Sequence, residues 1–462
     1  MTTPRVSTGD IEFDSIVGGG LPANGLYVIA GLPGSGKTML AQQILFRNAT
    51  DAARGLFIAT LSEPLDKTLR FGAGLDFFDP SAIGRRVLYE TIADVPALSG
   101  LPAAMERILS LLDRHQPNYL ALDSLRALRP FAADDREYRS FIAELGARLA
   151  VRPITALLVG DYEPTDQTGE PVFAVADGII LLRSTNVGGR ALRVLQVTKL
   201  RGSDFRSGDH SYRLSSSGLT AFARLADPLD TAGAWPDHGR ISLGSAGLDE
   251  MIGGGVFPGT STLVIGPSGS GKTMLGLDFL YAAAERKEHA VCATLQESRT
   301  QFHRALTPSR RAEERVHVLH HSPVDVYVDE WVQDVLAEVD RRRATALFID
   351  SLSDLRLATP DPSRFEEYLY SLVQRCLRLG VTLLMSFENP DLEVPPQLGT
   401  TVSHAADNII SLGYTVEADR LRRVIAVLKS RASSHDQCVR SLEIGPGGIS
   451  VGPPIGAASA IA

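Results

Sequence analysis

The sequence carries GLPGSGKT at residues 31–38 and GPSGSGKT at residues 266–273, and these two stretches decide the fold. Both match the pattern GxxxxGK[ST], and each lies between an apolar run of strand length and a segment with helical spacing of apolar residues. Glycines are needed here because backbone amides must turn inward around phosphate oxygens, which a side chain would block. The N-terminus of the following helix adds its positive end. Each stretch therefore predicts a phosphate-binding loop.

The residues expected to hold a nucleotide lie in these loops and in the first turn of the helices that follow. They are Gly31, Gly34, Ser35, Gly36, Lys37 and Thr38 in the first loop, and Gly266, Gly269, Ser270, Gly271, Lys272 and Thr273 in the second. Lys37 and Lys272 would bring positive charge to the β- and γ-phosphates and so contribute to catalysis. Thr38 and Thr273 would each offer a hydroxyl ligand to Mg²⁺.

The two loops belong to a longer internal repeat. Residues 16–40 align with residues 251–275 without a gap, 235 positions apart, and later landmarks keep nearly the same spacing. Such self-similarity predicts that one whole domain is duplicated. We predict domains at 1–225 and 241–448. They are joined by a linker at 226–240 that is rich in Asp, Pro, Gly and Ala, and followed by a loose tail at 449–462.

Composition limits the class of protein. Hydrophobic residues make up 44% and charged residues 22% of 462 residues, as in ordinary globular proteins. The net charge of −8 disfavours nucleic acid as a partner. No apolar signal segment occurs in the first residues, MTTPRVSTGDIEFD, and no later stretch is long enough to span a membrane. With only three cysteines and no CxxC pair, these features predict a cytoplasmic protein without a membrane partner.

Apolar runs of strand length alternate with amphipathic segments in each copy. In the first copy the predicted strands are 26–30, 56–61, 119–123 and 154–160, with later strands at 178–182, 191–200 and 211–214. Helices are predicted at 37–47 and 136–149. This alternation predicts an α/β fold in which a mostly parallel sheet is flanked by helices.

An aspartate ends one predicted strand in each copy: Asp123 ends YLALD and Asp350 ends ALFID. The carboxyl end of a parallel strand faces the crevice where ligands bind in such sheets. We therefore predict that both aspartates hold Mg²⁺, although an aspartate there could instead cap a helix. Asp354, four residues after Asp350, is interpreted as a structural carboxylate of this second kind.

These motifs together resemble the KaiC family, the duplicated RecA-like ATPases of signalling and clock systems. The resemblance rests on the GGG segment before each loop, on Asp-Ser-Leu after each strand-ending aspartate, and on the motifs at 199–202 and 429–431. It implies two tandem RecA-like P-loop NTPase domains that bind ATP and Mg²⁺. It also implies a homo-hexameric ring with ATP between neighbouring subunits, and an unidentified signalling protein as partner.

The resemblance assigns four cations to the nucleotide of the neighbouring subunit: Lys199, Arg201, Lys429 and Arg431. Physically this is an arginine-finger arrangement, in which fixed positive charge meets the charge that develops on the transferring phosphoryl group. Turnover would then require assembly of the ring. The alternative interpretation is that these are solvated cations on an edge strand.

Two further assignments depart from the family pattern. Members carry two adjacent glutamates near the γ-phosphate, whereas this chain has Ser62-Glu63 and Gln296-Glu297. Glu63 and Glu297 are thus the candidate bases, and hydrolysis is expected to be slow. The family's adjacent Ser and Thr phosphorylation sites correspond here to Ser403 and His404, which leaves Ser403 as the single candidate site for autophosphorylation.

Three functions follow from these observations. The first is a ring-forming, Mg-ATP-binding ATPase with serine autokinase activity that acts in signalling or regulation. The second is an ATP-gated assembly module with negligible hydrolysis, which the missing glutamates favour. The third is a RecA-like DNA-binding ATPase. It is disfavoured because segments 163–176 and 388–403, which would face DNA, each carry three acidic residues and no Lys or Arg.

Overall fold

The computed structural model describes residues 4–60, 65–163, 165–166, 169–187, 190–226, 239–296, 313–322, 326–359, 361–389, 405–417, 419–431 and 433–455. The chain divides into two compact units, Met1–Arg224 and Leu225–Ala462, and each holds one nine-stranded sheet. The exact domain boundaries stay a prediction. Within the described ranges, no helix combines the length and the apolar character that crossing a membrane requires.

The first unit opens with a two-stranded ribbon of β1 (Arg5–Val6) and β2 (Leu21–Pro22), which enclose α1 (Ile11–Ile16) in sequence. The strands of its large sheet are β3 (Leu26–Gly31), β4 (Gly55–Ala59), β5 (Val87–Thr91), β6 (Tyr119–Asp123), β7 (Thr155–Gly160), β8 (Gly178–Val187), β9 (Arg190–Leu200), β10 (Asp209–Ser215) and β11 (Gly218–Phe222). The helices that follow α1 are α2 (Lys37–Asn48), α3 (Leu65–Gly72), α4 (Val95–His115), α5 (Asp135–Ala150) and α6 (Pro171–Val175).

The strand order of this sheet is β11-β10-β9-β8-β3-β7-β6-β4-β5. Strands β8, β3, β7, β6, β4 and β5 pair in parallel, whereas β8 to β11 form antiparallel hairpins. The α/β prediction is therefore confirmed. One consequence matters for the site: β7 lies between β3 and β6, so the carboxyl ends of these three strands lie side by side.

The second unit repeats this topology. Its strands are β12 (Ser261–Gly266), β13 (Ala290–Thr294), β14 (Val316–His320), β15 (Ala346–Asp350), β16 (Thr382–Glu388), β17 (Asn408–Glu417), β18 (Arg420–Ser430), β19 (Arg440–Gly445) and β20 (Gly448–Pro454). Its described helices are α7 (Ala246–Met251), α8 (Lys272–Glu285), α9 (Val328–Arg342), α10 (Leu352–Ala358) and α11 (Pro362–Arg378). The strand order is β14-β13-β15-β16-β12-β17-β18-β19-β20. Read from β20 to β14, it matches the order of the first sheet strand for strand, which confirms tandem copies of one fold.

The central strand of each sheet is buried on both faces. In β3, Val28 and Ala30 pack into one apolar cluster, whereas Tyr27 and Ile29 pack into another on the opposite face. This division follows from the strand itself, because successive side chains point to opposite faces. Helices therefore cover both faces of the sheet, and its carboxyl edge is left to bear the loops that carry function.

The prediction of a loose tail from residue 449 is wrong for residues 449–454. These residues belong to β20, which pairs with β19 as an antiparallel hairpin. Ile449 is buried, and its N–H donates to the Asp278 carboxylate at 2.6 Å. The tight hairpin is possible because Gly448 adopts φ 99°, a conformation that a glycine reaches without strain. Residues 456–462 lie outside the described ranges.

The three cysteines differ in exposure, which gives a simple test of this fold. Cys292 and Cys376 are buried and Cys438 is exposed; burial raises the pKa of the Cys376 thiol to about 12. The reagent must reach the sulfur, so we expect the exposed Cys438 thiol to react first in the native chain, although its hydrogen bond with Asp436 raises its pKa, and the two buried thiols to react only after unfolding. The variant Cys438→Ser should remove the fast phase. A fast phase of two or three thiols would contradict the described packing.

Candidate functional site

Both phosphate-binding loops connect a central strand to a helix. The first loop runs from the end of β3 to the start of α2, and the second from the end of β12 to the start of α8. Gly34, Gly36, Gly269 and Gly271 have φ values of 80°, 91°, 74° and 110°. Residues with a side chain rarely adopt such angles, so glycine is required at these turns. The backbone thus has the geometry that the sequence predicts for an anion-binding loop.

The first glycine of each loop is required by close packing instead. A Cβ atom on Gly31 would lie 2.2 Å from the carbonyl oxygen of Leu182, and one on Gly266 would lie 2.4 Å from that of Leu412. Both contacts are far shorter than van der Waals separation, so a side chain would displace the loop from the neighbouring strand. The loops are therefore held directly against β8 and β17.

Buried hydroxyl groups in both loops fit a bound phosphate. Ser35 and Ser270 are buried, and among the described residues their Oγ atoms have no hydrogen-bond partner. Buried polar groups are almost always satisfied, by protein, water or ligand. Together with the inward-turning backbone, these hydroxyl groups suit an anion that accepts hydrogen bonds, as a nucleotide phosphate does.

The structure brings each predicted magnesium-binding threonine to its predicted aspartate. Thr38 Oγ1 donates to Asp123 Oδ2 at 2.6 Å, and Thr273 Oγ1 donates to Asp350 Oδ2 at 2.7 Å. Each aspartate is the last residue of its strand. The described residues contain no group of three or more His, Cys, Asp or Glu side chains that could hold a metal unaided. One threonine hydroxyl and one aspartate carboxylate per site suit Mg²⁺, which keeps water and substrate phosphates in its coordination shell.

Asp350, the strand-ending aspartate of the second unit, accepts a hydrogen bond beyond the one from its loop threonine. The carboxylate of Asp350 also accepts a hydrogen bond from the Ser386 hydroxyl on β16. Burial raises the pKa of Asp350, while the hydrogen bonds from Ser386 and Thr273 act to lower it. In the first unit the residue beside Asp123 on β7 is Val159, which has no hydroxyl to offer. The two sites therefore hold their aspartates differently.

The two loop lysines also differ in their contacts. Lys37 is buried, and its Nζ lies 2.8 Å from Asp161 Oδ1, with a second hydrogen bond to the carbonyl oxygen of Leu32 at 2.9 Å. Lys272 Nζ instead donates to the carbonyl oxygens of Gly266 and Pro267 at 2.9 and 2.8 Å. Burial lowers the pKa of Lys272, and nearby carboxylates act against this shift. The first lysine is thus ion-paired, whereas the second is bound to its own loop.

The antiparallel strands hold each loop from the side. In the first unit the Tyr212 hydroxyl donates to the carbonyl oxygen of Ser35 at 2.7 Å. In the second unit the Tyr414 hydroxyl donates to that of Ser268 at 3.3 Å, and Arg423 Nε donates to that of Gly269 at 3.1 Å. These contacts pre-organise the loops for binding.

The predicted cations of the first unit lie far from the loop of the same unit. Lys199 pairs with Ile179 at the start of β8, and the N–H of Arg201 donates to the carbonyl oxygen of Asp177. The loop instead meets β8 at Leu182, five residues beyond Asp177. At about 3.3 Å per residue, this is a separation of about 16 Å. The Arg201 side chain is 66% exposed and lies 3.4 Å from the Asp177 carboxylate.

The second unit repeats this placement. Arg431 donates to Asp407 from the backbone at 3.0 Å and pairs with its carboxylate at 3.4 Å, and its side chain is 57% exposed. Lys429 Nζ donates to the carbonyl oxygen of Ala406 at 2.6 Å. Burial and the neighbouring arginine lower the pKa of Lys429, as they do for Lys199. In both units the cations occupy the end of the sheet opposite the phosphate-binding loop.

Three predicted functional residues, Glu63, Glu297 and Ser403, lie outside the described ranges. Their roles stay predictions. In segment 163–176, Asp166 pairs with Arg126 at 2.7 Å, and Glu170 pairs with Arg129.

Sequence reasoning missed two carboxylates beside the loops and one amide beside Asp354. Asp161 and Glu388 occupy equivalent positions at the carboxyl ends of β7 and β16, the strands between the loop strand and the aspartate strand. The signal was present, since both are acidic and 227 positions apart, the spacing of Asp123 and Asp350. The third residue, Gln296, contacts Asp354, which does not cap α10; the cap residue is Ser351.

Comparison with known proteins covers nearly the whole chain. The family model for the KaiC ATPase matches residues 6–225 and again residues 241–455. The chain is 28% identical over 474 residues to "Circadian clock protein KaiC3" of Synechocystis sp., which covers 97% of this chain and 92% of that protein. It is 29% identical over 463 residues to "Circadian clock oscillator protein KaiC" of Prochlorococcus marinus subsp. pastoris, at 95% and 89% coverage.

Proposed function

Because the chain belongs to the KaiC family of ATPases, we propose that it binds Mg-ATP at both phosphate-binding loops and hydrolyses it slowly within a ring of identical subunits. The observation that carries this proposal is the duplicated contact between a loop threonine and a strand-ending aspartate. The names of the similar proteins refer to the circadian clock, and we extend a signalling or regulatory role of that kind to this chain. A cytoplasmic location stays part of the proposal.

Different groups at each loop would contact the phosphates and the Mg²⁺ ion of the nucleotide. Backbone N–H groups and the buried Ser35 and Ser270 hydroxyl groups would donate to the phosphates, and Lys37 and Lys272 would place an ammonium group against the β- and γ-phosphates. The threonine and aspartate pairs would hold Mg²⁺, which neutralises negative charge on the phosphate oxygens when it is bound. Neither loop needs a large movement for these roles, because the loops are already braced by neighbouring strands.

We place the remaining positive charge on the neighbouring subunit. Lys199, Arg201, Lys429 and Arg431 lie at the sheet end opposite their own loop, too far to reach its phosphates. A head-to-tail ring would bring these cations, of which the two arginines are exposed, to the loop of the next subunit, since such an interface joins two different surfaces of the same chain. This supports a head-to-tail ring with ATP at the interfaces, for which the family resemblance implies six subunits.

Glu63 and Glu297 are the candidate bases of the two sites, and Ser403 is the candidate phosphorylation site. One experiment examines hydrolysis and autophosphorylation together. The purified protein is incubated with Mg²⁺ and γ-labelled ATP, and free phosphate is then separated from labelled protein. We expect slow release of labelled phosphate and a protein label that the variant Ser403→Ala lacks. Label on the protein that persists in this variant would contradict the assignment of Ser403.

A second candidate function is an ATP-gated assembly module that hydrolyses almost nothing. It is favoured by the single glutamate at each site, where the family has two. ATP that binds at an interface stabilises the ring by mass action, so nucleotide alone could control assembly. Phosphate release no faster than that of a Lys37→Ala, Lys272→Ala double variant would leave this function as the correct one. DNA binding remains disfavoured by the acidic segments 163–176 and 388–403.

The ion pair of Lys37 leads to a prediction about affinity. ATP must draw the Lys37 ammonium group away from Asp161, whose negative charge also repels the phosphates. The variant Asp161→Asn is therefore expected to bind ATP several-fold more tightly at the first site, since a partly exposed ion pair is worth about 1 kcal/mol. Binding is measured by calorimetry in a Lys272→Ala background, so that the first site alone is observed.

The matched control is Glu388→Gln in a Lys37→Ala background. Lys272 donates to loop carbonyl oxygens rather than to Glu388, so we expect a smaller gain in affinity there. Equal gains at the two sites would show that general loss of negative charge, and not the ion pair, controls affinity.

A further inference from the structure

Three consecutive glycines precede each phosphate-binding loop, at residues 18–20 and 253–255, and we call these stretches the glycine turns. The first glycine turn lies against segment 203–206, which comes just after the predicted cations of the first unit. A Cβ atom on Gly18 would lie 2.3 Å from the carbonyl oxygen of Asp204. Gly18 also has φ 76°, which a residue with a side chain rarely adopts. Glycine therefore permits the close approach of these two backbone segments.

Hydrogen bonds join segment 203–206 to the residues that lead into the first glycine turn. The N–H of Arg206 donates to the carbonyl oxygen of Ile16 at 2.8 Å. The Ser203 hydroxyl donates to the carbonyl oxygen of Val17 at 2.9 Å. The backbone that follows the cations is therefore anchored beside the glycine turn.

One arginine side chain links the glycine turn to this segment. Arg5 lies on β1, and its Nη1 donates to Ser203 Oγ at 2.6 Å and to the carbonyl oxygen of Gly20 at 2.9 Å. Both bonds come from the same nitrogen atom. Arg5 thus bridges two segments that are far apart in sequence, and one of them carries the predicted cations.

The second unit repeats this bridge with equivalent residues. Arg240 Nη1 donates to the carbonyl oxygen of Gly255 at 2.8 Å, and its Nη2 donates to Ser433 Oγ at 2.9 Å. Arg240 follows Arg5 by 235 positions and Ser433 follows Ser203 by 230, which are the offsets of the two loops and of the predicted cations. The same bridge thus lies beside the cations of both units.

The exposure of the cations gives this bridge its importance. The Arg201 side chain is 66% exposed, and its pair with Asp177 at 3.4 Å is of the exposed kind that contributes little. The position of its guanidinium group therefore depends on the backbone that carries it. Gly202, the next residue, has φ 72° and belongs to the residue type with the most backbone freedom. The bridge from Arg5 restrains the chain directly after this glycine.

We propose that Arg5 and Arg240 are positioning residues for the cations that act on the nucleotide of the neighbouring subunit. This rests on the proposed function, in which a head-to-tail ring brings those cations to the next loop. Arg5 acts through Ser203, which it holds against the glycine turn, and so fixes the backbone of Arg201. A cation held in place meets the developing charge of the phosphoryl group without first being ordered. The glycine turns are the surfaces against which the cations are braced.

The first test uses an Arg431→Ala background, which keeps both loops but removes the proposed finger of the second site, so that phosphate release reports on the first. Arg5→Ala is expected to lower kcat about 10-fold with an unchanged KM for ATP, because a catalytic group misplaced by about 1 Å can cost about 100-fold. Arg5→Lys should restore most of kcat, since one ammonium group can donate both bonds. The control is Arg85→Ala, which removes another exposed, carboxylate-paired arginine and should leave kcat unchanged.

A mixing experiment separates an effect on the neighbour from support of the same unit. Arg5→Ala subunits keep an intact first loop, and Lys37→Ala subunits keep an intact bridge, both in the Arg431→Ala background. Mixed at equal amounts, they should recover about one quarter of the background rate, the share of interfaces that join an intact loop to a braced cation. A mixture no more active than its components would overturn the proposal. Unchanged kcat in Arg5→Ala, or equal losses in Arg5→Ala and Arg5→Lys, would overturn it too.

The reference for this experiment is a mixture of Arg201→Ala and Lys37→Ala subunits in the same background. If this mixture recovers activity and the Arg5→Ala mixture does not, the positioning role alone is wrong. If neither mixture recovers activity, the shared site of the proposed function is wrong, and the positioning role is refuted with it.

Discussion

Replacing both Arg201 and Arg431 with alanine is expected to lower phosphate release about 10³-fold while ATP remains bound. The reason lies in the position of these side chains, which are exposed at the end of each sheet opposite the loop of the same unit. There they are too far from their own loop to act on its nucleotide, and the proposed ring would bring them to the phosphate of a neighbour. Charge that develops on the transferring phosphoryl group would lose its fixed positive partner in the variant. Steady-state phosphate release and equilibrium ATP binding together check this result.

Arg148→Ala serves as the matched control, because Arg148 is also exposed and also paired with a carboxylate, one helical turn away on α5. Its loss should leave phosphate release unchanged, since exposed pairs of this kind contribute little. If the Arg201→Ala, Arg431→Ala variant hydrolysed ATP at the wild-type rate, the two arginines would be solvated cations and not fingers.

Replacing both Lys37 and Lys272 with alanine is expected to weaken ATP binding at each site about 100-fold, as lost charge-assisted contacts worth about 3 kcal/mol would do. Both ammonium groups lie within the loops, where the backbone is already shaped for phosphate. Because ATP at the interfaces of the proposed ring would stabilise it, the variant should also fail to assemble at ATP concentrations that assemble the wild type. Calorimetry measures the first effect, and sedimentation velocity measures the second.

Lys67→Ala is the control for this variant, since Lys67 lies on α3 and is exposed. It should bind ATP and assemble as the wild type does. Unchanged ATP affinity in the double lysine variant would mean that the two loops do not bind phosphate.

The fold was predictable because its signals are local. Buried strands, the two glycine-rich loops and the aspartates that end β6 and β15 can each be recognised within a few residues of sequence. Because each of these motifs occurs in both copies of the repeat, each assignment made in one copy was supported by the other. The residues predicted to share a site, Thr38 with Asp123 and Thr273 with Asp350, are brought together by the topology that the alternation of strands and helices implies.

What could not be predicted depends on contacts between distant segments. The last strand, β20, has the composition of a loose tail, and it is ordered by a partner strand and by the Asp278 carboxylate on α8. Likewise, the pairing of Lys37 with Asp161 joins residues that only the sheet order makes neighbours. Repeat alignment also has a limit: Ala59 lies opposite Asp123, whereas Thr294 lies opposite Asp350. In sequence, TLSE at 60–63 aligns with TLQE at 294–297, so Thr60 aligns with Thr294. Thr60, however, comes one residue after the position opposite its aspartate, whereas Thr294 is itself opposite its aspartate. Aligned residues therefore differ by one position relative to the strand-ending aspartate.

The central claim is that each nucleotide site is shared between two subunits. It is tested most directly by mixing the Arg201→Ala, Arg431→Ala variant with the Lys37→Ala, Lys272→Ala variant. The first keeps intact loops and the second keeps intact cations, so random mixing at equal amounts, at an ATP concentration high enough to assemble both variants, should make about one quarter of the head-to-tail interfaces complete. We predict that phosphate release recovers to about that share of the wild-type rate. A mixture no more active than its components, although a tag on one variant co-purifies the other, would contradict the claim.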